Sequence, residues 1–269
     1  MTSKEFKLDF EALISQLLNG KGYLHYGYWE NGIADEKTLC RMVDAQQAYF
    51  DQLAATIPPG IQSILDVGSG TGSNAAGLLQ KGYAVDCVCP SPKLNQMARQ
   101  KLPVSTRIFE SRFEDLDPGK DYDLMIFSES FHYLEAATAL RKMCERARRN
   151  VIVFDYFPRV DSATEVRVSH AQFRKLVATT FADRLRIVSD RDVTAEIVPT
   201  FQVLDEFKNQ FARPFVTRTI DDFRVSHPVY SFLLSWPLRR LRAKVGKKSD
   251  RARAFLDTYE YRLILLART

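Results

Sequence analysis

Apolar residues at Phe6, Phe10, Leu13, Ile14, Leu17 and Leu18 recur at spacings of three and four, and Asn19-Gly20 follows them. That spacing predicts an amphipathic helix with a C-terminal stop. The aromatic stretch Gly22-Tyr23-Leu24-His25-Tyr26-Gly27-Tyr28-Trp29 fits neither the helical nor the strand period. Residues 35–56 read as a second helix, closed by Pro58-Pro59-Gly60. From Ile61 the pattern changes to short apolar runs alternating with helical ones. The runs are 61–67, 83–88, 105–109, 122–127 and 151–156, and the helical stretches are 74–80, 93–100 and 135–147. Repeated βαβ units of this kind predict a parallel sheet with helices on both faces. Beyond them, Ser169 is placed to cap a helix reaching Phe181, and 185–188 reads as a strand. A helical, aromatic-rich insert with breakers at Pro199, Pro214, Pro228 and Pro237 spans about 196–255, and 259–266 closes the chain as a strand.

With 45% apolar and 26% charged residues over 269 positions, the chain has a globular composition and is long enough to bury a core without staples. No run approaches the ~18 apolar residues of a membrane span, and the first residues lack a signal-type apolar region, so a cytoplasmic location is expected. Cys40, Cys87, Cys89 and Cys144 form no CxxC pair and no cluster with histidine, so they are expected to be reduced core thiols, with no metal site. The net charge of +5 is uneven: residues 226–269 hold ten Lys/Arg against three acids. A single basic segment does not describe a nucleic-acid coat.

The most informative local signal is Ile64-Leu65-Asp66-Val67-Gly68-Ser69-Gly70-Thr71-Gly72, an apolar strand running into alternating glycines and then a helix. Glycines allow close backbone approach to a ligand, and the helix start offers unpaired N–H groups. A dinucleotide fingerprint would need glycine where Ser73 stands, and a phosphate loop would need a lysine that is absent. An acid preceding the glycines disfavours a pyrophosphate and suits a ligand bearing an ammonium group and hydroxyls.

On these residues the chain resembles the class I S-adenosylmethionine-dependent methyltransferases over roughly residues 20–190 and the last strand. More narrowly it is similar to the small-molecule branch of tocopherol and sugar O-methyltransferases. The narrower match is carried by His25-Tyr26-Gly27-Tyr28-Trp29, by Glu129-Ser130-Phe131-His132, and by Asp192-Val193-Thr194 followed by Pro199-Thr200. The resemblance implies a Rossmann-like α/β fold with a seven-stranded, mostly parallel sheet whose last strand inserts antiparallel beside 185–188. It also implies one domain: N-terminal helices and lid in 1–57, a cofactor-binding core in 61–190, a helical insert in 191–257 and the last strand in 258–269. It implies S-adenosylmethionine as cofactor and S-adenosylhomocysteine as product. Asp66, Gly68, Ser69 and Gly70 are expected at the methionine part, Cys89 and Pro90 at the ribose, and Phe113 and Glu114 at the adenine. Ser128 joins this set, and the glycine-interrupted aromatics Tyr23, Tyr26, Tyr28 and Trp29 read either as a lid over the cofactor or as plain core. Cys89 stands where many relatives have an acid, and the turn Arg148-Arg149-Asn150 is shorter than the family's.

Methyl transfer is an in-line displacement, for which the protein mainly aligns the reactants. A base is needed when the acceptor must lose a proton. His132, just past the fourth strand, is the candidate base, with Asp155 as its orienting carboxylate; a histidine that merely packs is the other reading. A hydroxyl of a natural-product acceptor leads. Nitrogen or carbon methylation without a base, and a cofactor-binding protein that does not methylate, stay open. Nucleic acid is not expected as substrate, since neither a flipped-base tetrad nor a Pro-Cys pair is present. The basic segment 239–253, next to the apolar run 229–236, is either a solvated face or a contact for an anionic carrier protein or lipid surface.

Overall fold

The computed structural model describes residues 23–30, 38–161, 167–246 and 248–269. The helix expected over 6–18 lies outside these residues. A 3-10 turn, Leu39–Arg41, leads into α1 (Met42–Ala55), and the βαβ series follows. It comprises β1 (Ser63–Val67), α2 (Ser73–Gln80), β2 (Ala84–Val88), α3 (Pro92–Lys101), β3 (Ile108–Phe109) and β4 (Tyr122–Ser128). Next come α4 (Ala136–Arg146), β5 (Ala147–Pro158), α5 (His170–Thr179) and β6 (Leu185–Asp192). The insert holds α6 (Thr194–Glu206), a π-helical joint at Phe207–Ala212, α7 (Arg213–Ser226), α8 (Pro228–Leu233), α9 (Ser235–Gly246) and α10 (Arg251–Thr258). β7 (Tyr259–Arg268) ends the chain.

The seven strands form one sheet in the order β3-β2-β1-β4-β5-β7-β6. β7 pairs antiparallel with both β5 and β6, and the pairings within β3 to β5 are parallel. The expected last strand is therefore in place, wedged between β5 and β6. Two buried clusters flank the sheet. Leu65, Val67, Met125, Phe127, Val151 and Val153 face α4 and α5, while Ile64, Cys87, Leu124, Ile126, Ile152 and Phe154 face α1 and α2. Alternate residues of the central strands thus serve opposite cores, as burial on both faces of a parallel sheet requires.

Several boundaries differ from the sequence expectation. The run 105–109 keeps only two strand residues, as an edge strand with one neighbour. Arg148-Arg149-Asn150, expected as a turn, is strand, because Ala147 already pairs with Tyr122 and α4 enters β5 directly. Pro214, Pro228 and Pro237 stand in the first turns of α7, α8 and α9, where a missing N–H costs nothing. Pro199, expected as a breaker, is inside α6. Three residues before it, the Glu196 carbonyl accepts the Trp29 N–H at 2.8 Å, which ties the helix to the segment 23–30. Cys87, Cys89 and Cys144 are buried, but Cys40 is exposed on the 3-10 turn and is not a core thiol.

Candidate active site

The parallel strands β1, β2, β4 and β5 end on one edge of the sheet. β1 delivers Asp66, and the chain then turns through Gly68 and Gly70 at φ +75° and +55°, a region L side chains rarely adopt. The Gly68 N–H donates to the Val88 carbonyl at 2.8 Å, which ties the turn to the end of β2. A Cβ at Gly68 would collide with Ser130, whose hydroxyl donates to the Val67 carbonyl at 2.5 Å. The glycines therefore let β1, β2 and the loop after β4 converge.

Asp66 is 1% exposed, and its Oδ2 has no hydrogen-bond partner among the described residues. Burial pushes its carboxyl up to about 7. An orphaned buried carboxylate beside a glycine turn is the chemistry that accepts an ammonium group. Cys89 lies against the same turn, with the Gly70 and Ser91 N–H groups directed at its sulfur, and burial raises its thiol. Leu24 packs with Cys89 and Leu94, and its Cδ1 would meet a Cβ at Gly70 at 3.1 Å.

The segment around Leu24 is an extended strap, fixed by polar contacts. Gly27 N–H and Trp29 Nε1–H donate to Thr200 Oγ1 at 3.0 and 2.9 Å, and Tyr28 N–H donates to the Ala45 carbonyl at 2.8 Å. Tyr26 N–H donates to Glu129 Oε1 at 2.8 Å. Of the aromatics read as lid or core, Trp29 packs on Met42, Ala45 and Val203, Tyr28 joins the core on the α1 side, and Tyr26 meets Phe201 in a tilted contact at 4.7 Å. Leu24 is the strap residue in contact with the turn. Phe113 meets Phe127 edge-on at 5.1 Å within the core, and the Glu114 carbonyl accepts from Lys142 Nζ.

On the β4–β5 side, His132 and Asp155 form a pair. Asp155, fully buried, accepts from His132 Nδ1 at 2.8 Å through Oδ1 and from the His132 N–H at 3.1 Å through Oδ2. The Tyr156 N–H adds a bond to Oδ1 at 2.8 Å. With Nδ1 carrying the proton, Nε2 is left as the basic nitrogen. The imidazole makes tilted contacts with the rings of Tyr133 and Tyr156, with centroids at 3.9 and 4.4 Å. A void of about 10 Å³ beside it, bordered by Phe131, Tyr156 and Arg167, has room for about one water.

Glu129, in the motif Glu129-Ser130-Phe131-His132 but not among the expected site residues, stands at the same edge. Its φ of +50° is the only positive value at a non-glycine among the described residues. Its Oε1 accepts from both Tyr26 N–H and Tyr261 Oη, at 2.8 and 2.7 Å, and so joins strap, β4 and β7. Ser128 Oγ, 3.2 Å from Tyr49 Oη, accepts from Asn74 Nδ2 at 3.3 Å. His25 stacks on Tyr49 at 4.1 Å, and burial lowers it to about 4, so it is neutral at pH 7. The motif Asp192-Val193-Thr194 is a local clasp: Asp192 Oδ1 accepts from the Thr194 N–H and hydroxyl at 2.9 and 2.6 Å. Among the described residues no group of three or more His, Cys, Asp or Glu is arranged to hold a metal.

The sequence profile of a methyltransferase-domain family matches residues 64–151, from β1 into β5. An uncharacterized methyltransferase of Bacillus licheniformis is 39% identical over 110 residues, which cover 39% of this chain and 51% of that protein. The chain thus spans about half the length of that relative. Among solved structures, a putative sarcosine dimethylglycine methyltransferase from Galdieria sulphuraria superposes with a TM-score of 0.68 at 15% identity, covering 97% of each chain. Geranyl diphosphate C-methyltransferase from Streptomyces coelicolor does so with 0.65 at 12% identity, covering 96% of this chain and 92% of that one. These likenesses show the fold, a Rossmann-like class I methyltransferase sheet.

Proposed function

We propose that this chain, with a methyltransferase domain over 64–151 in a class I methyltransferase fold, is an S-adenosylmethionine-dependent methyltransferase acting on a small molecule. The observation that carries the reading is Asp66, a buried carboxyl at the glycine turn whose Oδ2 has no partner among the described residues. It fits the cofactor's ammonium group, which would replace burial by an ion pair. Gly68, Ser69 and Gly70 are assigned to the methionine part, Cys89 and Pro90 to the ribose, and Phe113 and Glu114 to the adenine. Ser128, Tyr26, Tyr28 and Trp29 complete the assigned set, Tyr28 and Trp29 by holding the strap. When bound, the cofactor supplies an electrophilic methyl group on a sulfonium centre.

His132 is assigned as the base for a hydroxyl acceptor. Asp155 holds Nδ1–H and turns Nε2 toward the proton to be removed, as in other histidine–carboxylate pairs. The Tyr133 and Tyr156 faces stabilise the imidazolium once that proton arrives. The resemblance to O-methyltransferases favours oxygen as the acceptor atom, and nitrogen or carbon methylation without a base is the alternative. Calorimetric titration with S-adenosylmethionine and S-adenosylhomocysteine, followed by transfer of labelled methyl to small molecules of a cell extract, tests the reading. Binding of both with label in a small product is expected. No binding of either at millimolar concentration contradicts it.

A further inference from the structure

The helices α7 to α9 leave an apolar surface that the fold does not use. Only Ile220 is buried in α7 and nothing in α8. Val229, Tyr230, Phe232, Leu233 and Trp236 all project outward, Phe232 at 80% exposure and Trp236 at 67%. Such a run of large side chains on one short tip is unlike the scattered exposed residues of an ordinary surface.

The same helices are cationic. Residues 213–246 carry seven Lys/Arg and two Asp, and none of the acids lies beyond Asp222. Where α9 packs on α7, a cleft of about 750 Å³ is lined by Arg213, Arg224, Arg239 and Arg242. Asp221 holds Arg242 bidentately at 2.5 and 3.2 Å. Arg213, Arg224 and Arg239 form no salt bridge among the described residues. Arg240 lies over the Trp236 ring at 5.4 Å, so cationic and aromatic groups meet at the tip itself.

We infer that α7 to α9 dock this protein on an anionic lipid surface, the tip entering the interface and the arginine cleft taking headgroup phosphates. Projecting apolar side chains flanked by arginines suit the boundary between acyl chains and charged headgroups. An acidic protein partner would satisfy the arginines but would need its own recess for the tip. Among the described residues no helix is long and apolar enough to cross a membrane, so the contact is peripheral.

The surface stands at the catalytic edge. β6 ends at Asp192 and β7 begins at Tyr259, opposite Pro158 at the same end of β5 as Asp155. The insert between them therefore borders the edge that carries Asp66 and His132. Docking there would let the enzyme draw an amphiphilic acceptor from the bilayer. That statement about the acceptor rests on the methyl-transfer reading, whereas the docking itself does not.

The test is sedimentation of the full chain, without cofactor, with phosphatidylglycerol–phosphatidylcholine vesicles and with pure phosphatidylcholine vesicles. Binding to the first is expected to exceed binding to the second at least tenfold, and to fall steeply from about 0.05 to about 0.5 M salt. The double variant R239E/R240E, which spares the Arg242–Asp221 pair, should weaken it about thirtyfold or more. F232S/W236S should abolish it, with the melting temperatures of both variants unchanged because these residues are exposed. Blue-shifted emission should accompany vesicle binding and vanish in W236F, since Trp29 is buried already. No binding to anionic vesicles at low salt, or binding that survives both double variants, overturns the proposal. So does a dimer in vesicle-free solution that F232S/W236S dissolves without any vesicle binding, which would assign the face to a second copy. Cofactor titration without vesicles reports on the methyl-transfer reading separately.

Discussion

Asp66 and Asp155 lie near the C-terminal ends of parallel strands two places apart in the sheet, and both are buried, yet their surroundings are opposite. Asp155 is saturated: two backbone N–H groups and one imidazole nitrogen use its oxygens. Asp66 has an oxygen with no partner among the described residues, and burial holds its carboxyl up at about 7. Under the proposed function, the satisfied carboxylate positions another side chain and the unsatisfied one receives a partner from solution. A buried polar group without a partner is costly, and its retention at a strand end beside the glycine turn supports that reading.

The largest expected effect lies at the saturated end. His132→Ala should lower turnover ~10²–10⁴-fold with cofactor affinity nearly intact, measured by steady-state kinetics beside titration. An unchanged rate would mean that Asp155 positions a residue the chemistry does not need.

The unsaturated end shows itself in stability. An acid raised from 3.8 unfolded to about 7 folded binds its proton more tightly in the native state. Its contribution is full below pH ~4 and is lost as pH rises to about 7, a change of roughly 4 kcal/mol. His25, lowered to about 4, works in the opposite sense: its stabilisation is present above pH ~6.5 and lost as pH falls toward 4. The two slopes oppose each other in the wild type. Asp66→Asn should therefore stabilise the chain more at pH 8 than at pH 5 in denaturant unfolding.

Smaller effects sharpen the contrast. Asp66→Ala should weaken cofactor binding by ~1.5–3 kcal/mol, the range for a hydrogen bond to a charged group, with the His132–Asp155 geometry untouched. Tyr133→Leu, which removes one of the two rings facing His132, should cost ~0.5–1 kcal/mol in kcat, roughly a two- to fivefold loss.

The parts of this site legible in the sequence are those where local pattern and chemistry coincide. Asp66 and the glycine turn follow from a strand running into alternating glycines, and His132 and Asp155 from their positions at strand ends. The strap is less legible. Its aromatic spacing allows a lid or plain core, and the packing of those aromatics depends on Thr200, Ala45 and Glu129, which lie far along the chain. Gly27 shows why: a Cβ there would stand 2.6 Å from that of Ala45, a closeness no local period encodes. Glu129 was quoted within a motif but its left-handed backbone and its double acceptor role belong to the folded chain alone.

That Asp66 awaits a cation is tested most directly by the protons exchanged on cofactor binding. Calorimetry of S-adenosylmethionine binding at pH 6.5, in two buffers of different ionisation enthalpy, counts them. With its carboxyl at about 7, Asp66 is mostly protonated in the free protein at that pH. An arriving ammonium group should expel between about half and one proton per cofactor bound. Asp66→Asn should bind more weakly and release none. Wild-type binding with no proton released, or equal affinity in the asparagine variant, would contradict the account.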